Sequence, residues 1–149
     1  MQANVNMNQF ASSFAIDLGT GNFAAVGAIN RGAQGASLQG IIVYARDGFA
    51  GVQGASGSGG SHIAITVIGG RFGADFRGAQ PAATAAGFRL VNQSCGGILY
   101  SGLMSLSVVG LELSTNGDAA ASPAYKVRDD HLISNVLLKR DDFIKTGPG

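Results

Sequence analysis

Apolar residues recur along the chain in six short runs: SFAIDL, LQGIIVYA, HIAITVIGG, AGFRLVNQ, LSVVGLELS and LISNVLLKR. Their centres, Ile16, Ile41, Ile65, Phe88, Leu111 and Val136, lie 25, 24, 23, 23 and 25 residues apart. Within the runs apolar side chains fall at every second place, as at Ile63, Ile65 and Val67, or at Leu106 and Val108. Such alternation marks a half-buried strand. A weaker series follows each run after a glycine-rich corner, at Val26, Val52, Phe76 and Ile98, with steps of 26, 24 and 22. Each unit thus predicts at least two short strands with a turn between them. A longer, variable loop follows, such as GASGSGGS, GAQPAATA or STNGDAAASPAYKVRDD.

A period near two dozen residues, with several short strands in each, is what one coil of a parallel β-helix needs. Each coil buries its inward side chains on those of its neighbours, so the core is a narrow apolar axis. The predicted fold is all-β: one right-handed, single-stranded parallel β-helix of about six rungs over residues 1–149. A leucine-rich repeat would need a Leu/Asn consensus that is absent, and a sandwich or jelly roll would not give steps this even. Composition agrees. Glycine supplies 24 of 149 residues and suits sharp corners, some with positive φ, while a single glutamate and no tryptophan leave few strong helix formers.

The charge balance removes several function classes. Charged residues are only 13% and the net charge is +1, which excludes an electrostatic nucleic-acid binder. No window approaches 18 uninterrupted apolar residues, so no membrane partner is expected. MQANVNMNQF lacks the basic stretch and apolar core of a signal peptide. An extracellular location therefore requires that the chain be part of a longer secreted one. The lone Cys95 has no intrachain disulfide partner and reads as a small buried residue.

One stretch, FAIDLGTGNFAAVGAI at 14–29, resembles the first phosphate loop of the actin and Hsp70 ATPases. That chemistry needs a second phosphate loop and a second lobe, and neither is present. In the β-helix, Ile16 and Leu18 point inward and GTGN is a corner. GASGSGGS at 54–61 has no Lys-Ser/Thr and no following helix, so it is a flexible inter-rung loop rather than a phosphate cradle.

From QFASSFAIDLGTGN through GFAGV, GGRFGADF and GFRLVNQ to LSVVGLELS, about residues 9–114, the chain resembles the central rungs of the pectate-lyase-superfamily β-helix proteins. That group includes glycoside hydrolases and polysaccharide lyases, and binding proteins without catalysis, so the resemblance implies fold more than chemistry. It also implies that a Gly-Asp-Gly-x-x-Asp-Asp-Thr entry segment and an N-terminal cap are missing. A piece of a longer chain, with open edges that invite end-to-end or side-by-side self-association, is expected.

The candidate site comes from charged residues near the corners. Aligning the second and third coils on Ile41 and Ile65 puts Asp47 over Arg71 and Asp75 over Gly51, so Arg46, Asp47, Arg71, Asp75 and Arg77 share one side of the solenoid. For a polysaccharide partner, Asp47 and Asp75 would be the acid and base, as in a glycoside hydrolase or lyase. Arg46, Arg71 and Arg77 would hold sugar hydroxyls or uronate carboxylates. The plainer alternative is a surface Asp47–Arg71 ion pair capping the corners. A structural or adhesive module without catalysis, as in phage tail fibres, is the rival function. His62 and His131 each begin a strand and read as solvated, without zinc-ligand spacing. No cofactor is expected; Asp129-Asp130-His131 is the one cluster with oxygen donors for Ca²⁺. Asn92, with Asn116 and Asn135, reads as a structural turn residue.

Overall fold

The computed structural model describes residues 6–77, 84–101, 106–114 and 125–127, in which fifteen strands succeed one another without a helix. The strands are dealt in rotation to three parallel sheets of five strands each, a β-solenoid of about four turns. The first sheet holds β1 (Phe10–Ser12), β4 (Ser37–Gln39), β7 (Ser61–Ile63), β10 (Thr84–Ala86) and β13 (Ser107–Val109). The second holds β2 (Ala15–Asp17), β5 (Ile42–Arg46), β8 (Thr66–Gly69), β11 (Arg89–Val91) and β14 (Glu112–Ser114). The third holds β3 (Val26–Ile29), β6 (Ala50–Gln53), β9 (Phe72–Arg77), β12 (Gly96–Ser101) and β15 (Tyr125–Val127). The sixth apolar run, around Val136, lies outside the described residues, as do His131, Asn116 and Asn135.

Register refines the repeat. Phe10 faces Ser37, Ser37 faces Ser61, Ser61 faces Thr84 and Thr84 faces Ser107, so the coils are 27, 24, 23 and 23 residues long in the first sheet. The first coil is longer because its corner between β2 and β3 carries the extra GTGN residues. Ile16 consequently stacks on Val43, Val67, Leu90 and Leu113, not on Ile41. Val26 likewise faces Ala50 rather than Val52, and Phe76 faces Tyr100 rather than Ile98. Ile16 and Leu18 do pack against the core, with GTGN as the corner.

Each apolar run spans two strands and the corner between them, not one strand. The corner turns on a single left-handed residue, at Ser13, Gly40, Ala64, Gly87 and Gly110 in successive coils, with φ of 61°, 58°, 53°, 64° and 65°. That residue breaks the period-2 alternation. Ile63 is exposed before it, while Ile65 and Val67 are fully buried after it. The ladder nevertheless runs through the corner: Gly40 N–H donates to Ile63 O at 2.9 Å and Ala64 N–H to Ala86 O at 2.8 Å. Alanine holds this backbone shape at a cost that glycine does not bear. Ala64→Gly is therefore expected to raise stability by on the order of 1 kcal/mol, measured by urea unfolding, and Gly87→Ala to lower it by a similar amount.

The third sheet bends at a column of glycines. Strand pairing skips Gly27 opposite Gly51, Gly51 opposite Gly73, and Gly73 opposite Gly97. At these bends the backbone approaches the Val43, Val67 and Leu90 side chains of the second sheet, where no Cβ fits. The GASGSGGS segment is also packed, contrary to a flexible loop. Ser56 is fully buried and Gly57 N–H bonds Gly32 O at 3.1 Å in the preceding coil.

Candidate functional site

The third sheet and its corners bring together part of the predicted site. Arg77, at the end of β9, grips Asp75 two residues back through Nε–H to Oδ1 at 2.8 Å and an Nη2–H to Oδ2 at 2.9 Å. The Arg77 main-chain N–H adds a bond to Oδ1 at 3.2 Å, and Gln53 Nε2 donates to Oδ2 at 3.3 Å from the neighbouring strand. Burial of Asp75, which is 2% exposed, opposes its ionisation, but the Arg77 and Gln53 bonds prevail and hold its pKa below the usual carboxylate value. Asp75 is thus a fixed anion, with Gln53 rather than Gly51 opposite it.

Phe49 lies at the centre of this face. The guanidinium carbon of Arg77 sits 5.9 Å from its ring centre and that of Arg71 sits 5.8 Å away. Arg71 also lies 6.0 Å from the Phe72 ring, and the two phenyl rings meet edge to face at 5.5 Å. The sequence places these rings in successive coils, in GFAGV and GRFGAD, where Phe72 N–H bonds Phe49 O at 3.0 Å. Register sets Phe72 opposite Ala50, so the two rings stand one residue out of step in their coils and no shared repeat position marks them in the sequence. Quadrupolar attraction holds a cation over such a ring while leaving its in-plane N–H groups to donate.

The remaining predicted residues go elsewhere. Arg46 pairs with Asp17 of the first coil, Nε–H to Oδ1 at 3.0 Å and an Nη2–H to Oδ2 at 2.6 Å. This pairing, with the Gly19 N–H, holds the Asp17 pKa at about 2. Asp47 does not pair with Arg71. Its Oδ2 accepts the Gly21 N–H at 2.9 Å and so tethers the long first corner to the second coil. The shift arises because β5 carries a bulge between Tyr44 and Arg46, which breaks the simple alignment on Ile41 and Ile65. Asp47 and Asp75 therefore have different partners and share none.

His62 is fully buried, not solvated. It points into the solenoid between Leu38 and Ala85 of the adjacent coils, with its ring 5.0 Å from that of Phe76. Asn30 Oδ1 accepts the Gly32 N–H, which turns its amide NH₂ towards Ser56 Oγ at 3.0 Å and His62 Nε2 at 3.1 Å. The inward orientation follows from the turn at Ala64, which a simple alternating strand does not contain. Asn92 occupies a left-handed turn position with φ of 59°, in one column with Gly19, Arg46 and Gly69.

Among the described residues no three His, Cys, Asp or Glu side chains group to hold a metal ion, and Asp129-Asp130-His131 falls outside them. No described helix is long and apolar enough to cross a membrane. No family model, curated protein or solved structure matches the chain.

Proposed function

We propose that the chain recognises a polysaccharide on the outer face of its third sheet, with Arg71 and Arg77 as the donors and Gln53 at the margin. The observation that carries this reading is the convergence of both arginines on Phe49, one of them locked by Asp75. Guanidinium groups held by rings and a buried carboxylate lose little freedom on binding, so their hydrogen bonds to a ligand are preorganised. A solenoid face also suits a polymer that runs over several coils. Right-handed winding and kinship with the pectate-lyase superfamily belong to the same proposal, resting on the order of motifs over 9–114.

Recognition fits these residues better than cleavage. A general acid in glycoside hydrolysis needs a raised pKa and access to the leaving oxygen. Asp75 has neither, and its role in this reading is to orient Arg77. Titrating a bound oligosaccharide into ¹⁵N-labelled protein is expected to shift the amides of Phe49, Gln53 and Phe72 to Arg77. Shifts confined to the first or second sheet would overturn this placement.

A second reading, a structural or adhesive module that self-associates, is favoured by the first coil. Phe14 is 37% exposed and Ile16 only half-buried, whereas Ile41 and Val43, which stack on them one coil later, are fully buried. A cavity of about 570 Å³ opens there, lined by Phe10, Phe14, Ile16, Ala28, Ile29 and Leu38. Light scattering across a hundredfold concentration range tests it: a defined oligomer supports assembly, and a constant monomer mass rules it out.

A further inference from the structure

We infer that the first coil binds an amphipathic carboxylate of the medium-chain fatty-acid class, with its alkyl chain in the end cavity and its carboxylate on Arg31. The site shares no residue with the third-sheet arginine face and does not depend on polysaccharide recognition. The cavity, of about 570 Å³, has the size of a small-molecule site. Its apolar wall is built by Ile16, Ala28 and Leu38. All three pack with the core cluster, so the cavity continues the apolar axis of the coils. Among the described lining residues Arg31 alone is ionisable. No carboxylate among the described residues pairs with it, whereas Arg46, Arg77 and Arg89 each have one. An unpaired arginine is ordinary on a protein surface; at the rim of an apolar cavity it sets the class of ligand.

The rim is built for one anion. The stem of Arg31 packs over the next coil, where a Cβ on Gly54 would lie 3.1 Å from its Cγ. Beside it, Asn30 Oδ1 takes the Gly32 N–H, and its NH₂ group is committed to Ser56 and His62. The Asn30 amide therefore offers a ligand no spare donor, and charge recognition falls to Arg31. Its planar fork matches a single carboxylate through two parallel N–H···O bonds. A sugar would set hydroxyls against Ile16, Ala28 and Leu38 with no partner for them. A dicarboxylate would bring a second charge to the same wall. An alkyl chain ending in one carboxylate suits both the wall and the rim. A head-to-head pair of first coils, by contrast, would bring two Arg31 cations into one interface.

Calorimetry on the full chain with hexanoate, octanoate and decanoate, and with octanol as the neutral control, makes the test. Affinity is expected to rise roughly fourfold for each methylene buried. Octanoate is expected to bind about tenfold more tightly than octanol. In Arg31→Gln the acid should fall to the level of the alcohol while the alcohol is unchanged. Ala11 lines the cavity, is exposed, and stands in register with Leu38. Ala11→Phe therefore fills the space without crowding the core, and should abolish binding of acid and alcohol at unchanged Tm. Equal affinity for octanoate and octanol in the wild type overturns the role of Arg31. Affinity that does not change with chain length, or that survives in Ala11→Phe, overturns the placement in the cavity. No binding by folded wild type overturns the inference and leaves recognition on the third sheet standing, since the glycan measurements read that separately. Absent binding together with a mass that grows with protein concentration gives the cavity to a second copy of the chain.

Discussion

Gly51→Ala is expected to destabilise the solenoid by on the order of 3 kcal/mol, at the upper end for overpacked cores. A Cβ at this position would stand 2.4 and 2.5 Å from the two Cγ atoms of Val67 and 2.9 Å from Gly73 O. Val67 cannot yield, because it is fully buried and stacked in register between Val43 and Leu90. The Gly73 carbonyl belongs to the main chain of the next coil, so moving it strains the bend there too. For a chain of this size the loss corresponds to a fall in Tm of roughly 6–12 °C, read by circular dichroism. Gly51→Ala combined with Val67→Ala should cost less than the two changes summed, since the second removes what the first collides with. A Gly51→Ala protein within 0.5 kcal/mol of the wild type would mean that the second and third sheets are not this close.

Acid should destabilise the protein in two separate steps, and His62 accounts for the first. Its Nε2 accepts a hydrogen bond from the Asn30 amide, so the neutral ring carries its proton on Nδ1, which is buried without a partner. Protonation would set an N–H against the Asn30 NH₂ and place a charge in the core. Burial therefore depresses the pKa from 6.5 to about 4. Between those values the unfolded chain binds a proton that the folded chain refuses. Stability is thus full above pH 6.5 and falls as pH drops towards 4, by roughly 3 kcal/mol in all. The carboxylates act lower. Asp17, held at about 2 by Arg46, and Asp75, held below its usual value, lose their contributions only as pH falls beneath the ordinary carboxylate range. Urea unfolding at half-unit steps from pH 7 to 1.5 checks this. In His62→Gln the slope between pH 6.5 and 4 should vanish while the lower one remains. A wild-type curve flat from pH 7 to 4.5 would contradict a neutral, buried His62.

The solenoid was legible because its period is set by chain length per coil, and small errors in choosing a centre do not destroy a repeat of 23 to 27 residues. Phase was harder. Ile16 falls in the wrong column by two residues because the GTGN corner lengthens the first coil, and the count of residues alone does not say where the extra ones sit. The third strand of each coil stayed hidden for a related reason. The turn at Ala64 lies between two isoleucines, and nothing in HIAITV announces a left-handed residue. That single turn also decides that His62 faces inward and Ile63 outward.

The stacking of corner charges predicts that Arg71, Asp75 and Arg77 share one side of the solenoid, and these three do lie on one face. Phe49 and Phe72 carry no charge and stand in glycine-rich corners one residue out of step with each other, so only the strand register and the guanidinium contacts bring them to notice. Arg46 and Asp47 were assigned to the same face because the β5 bulge is invisible in sequence. It turns one towards Asp17 and the other towards the Gly21 amide.

The most direct test of polysaccharide recognition on the third sheet is a glycan-array screen of the wild type beside Arg71→Gln/Arg77→Gln, with both proteins confirmed folded. Binding by the wild type to one class of glycan, lost in the double variant, is the expected result. A blank array for folded wild type, or identical binding by the double variant, would contradict recognition on this face.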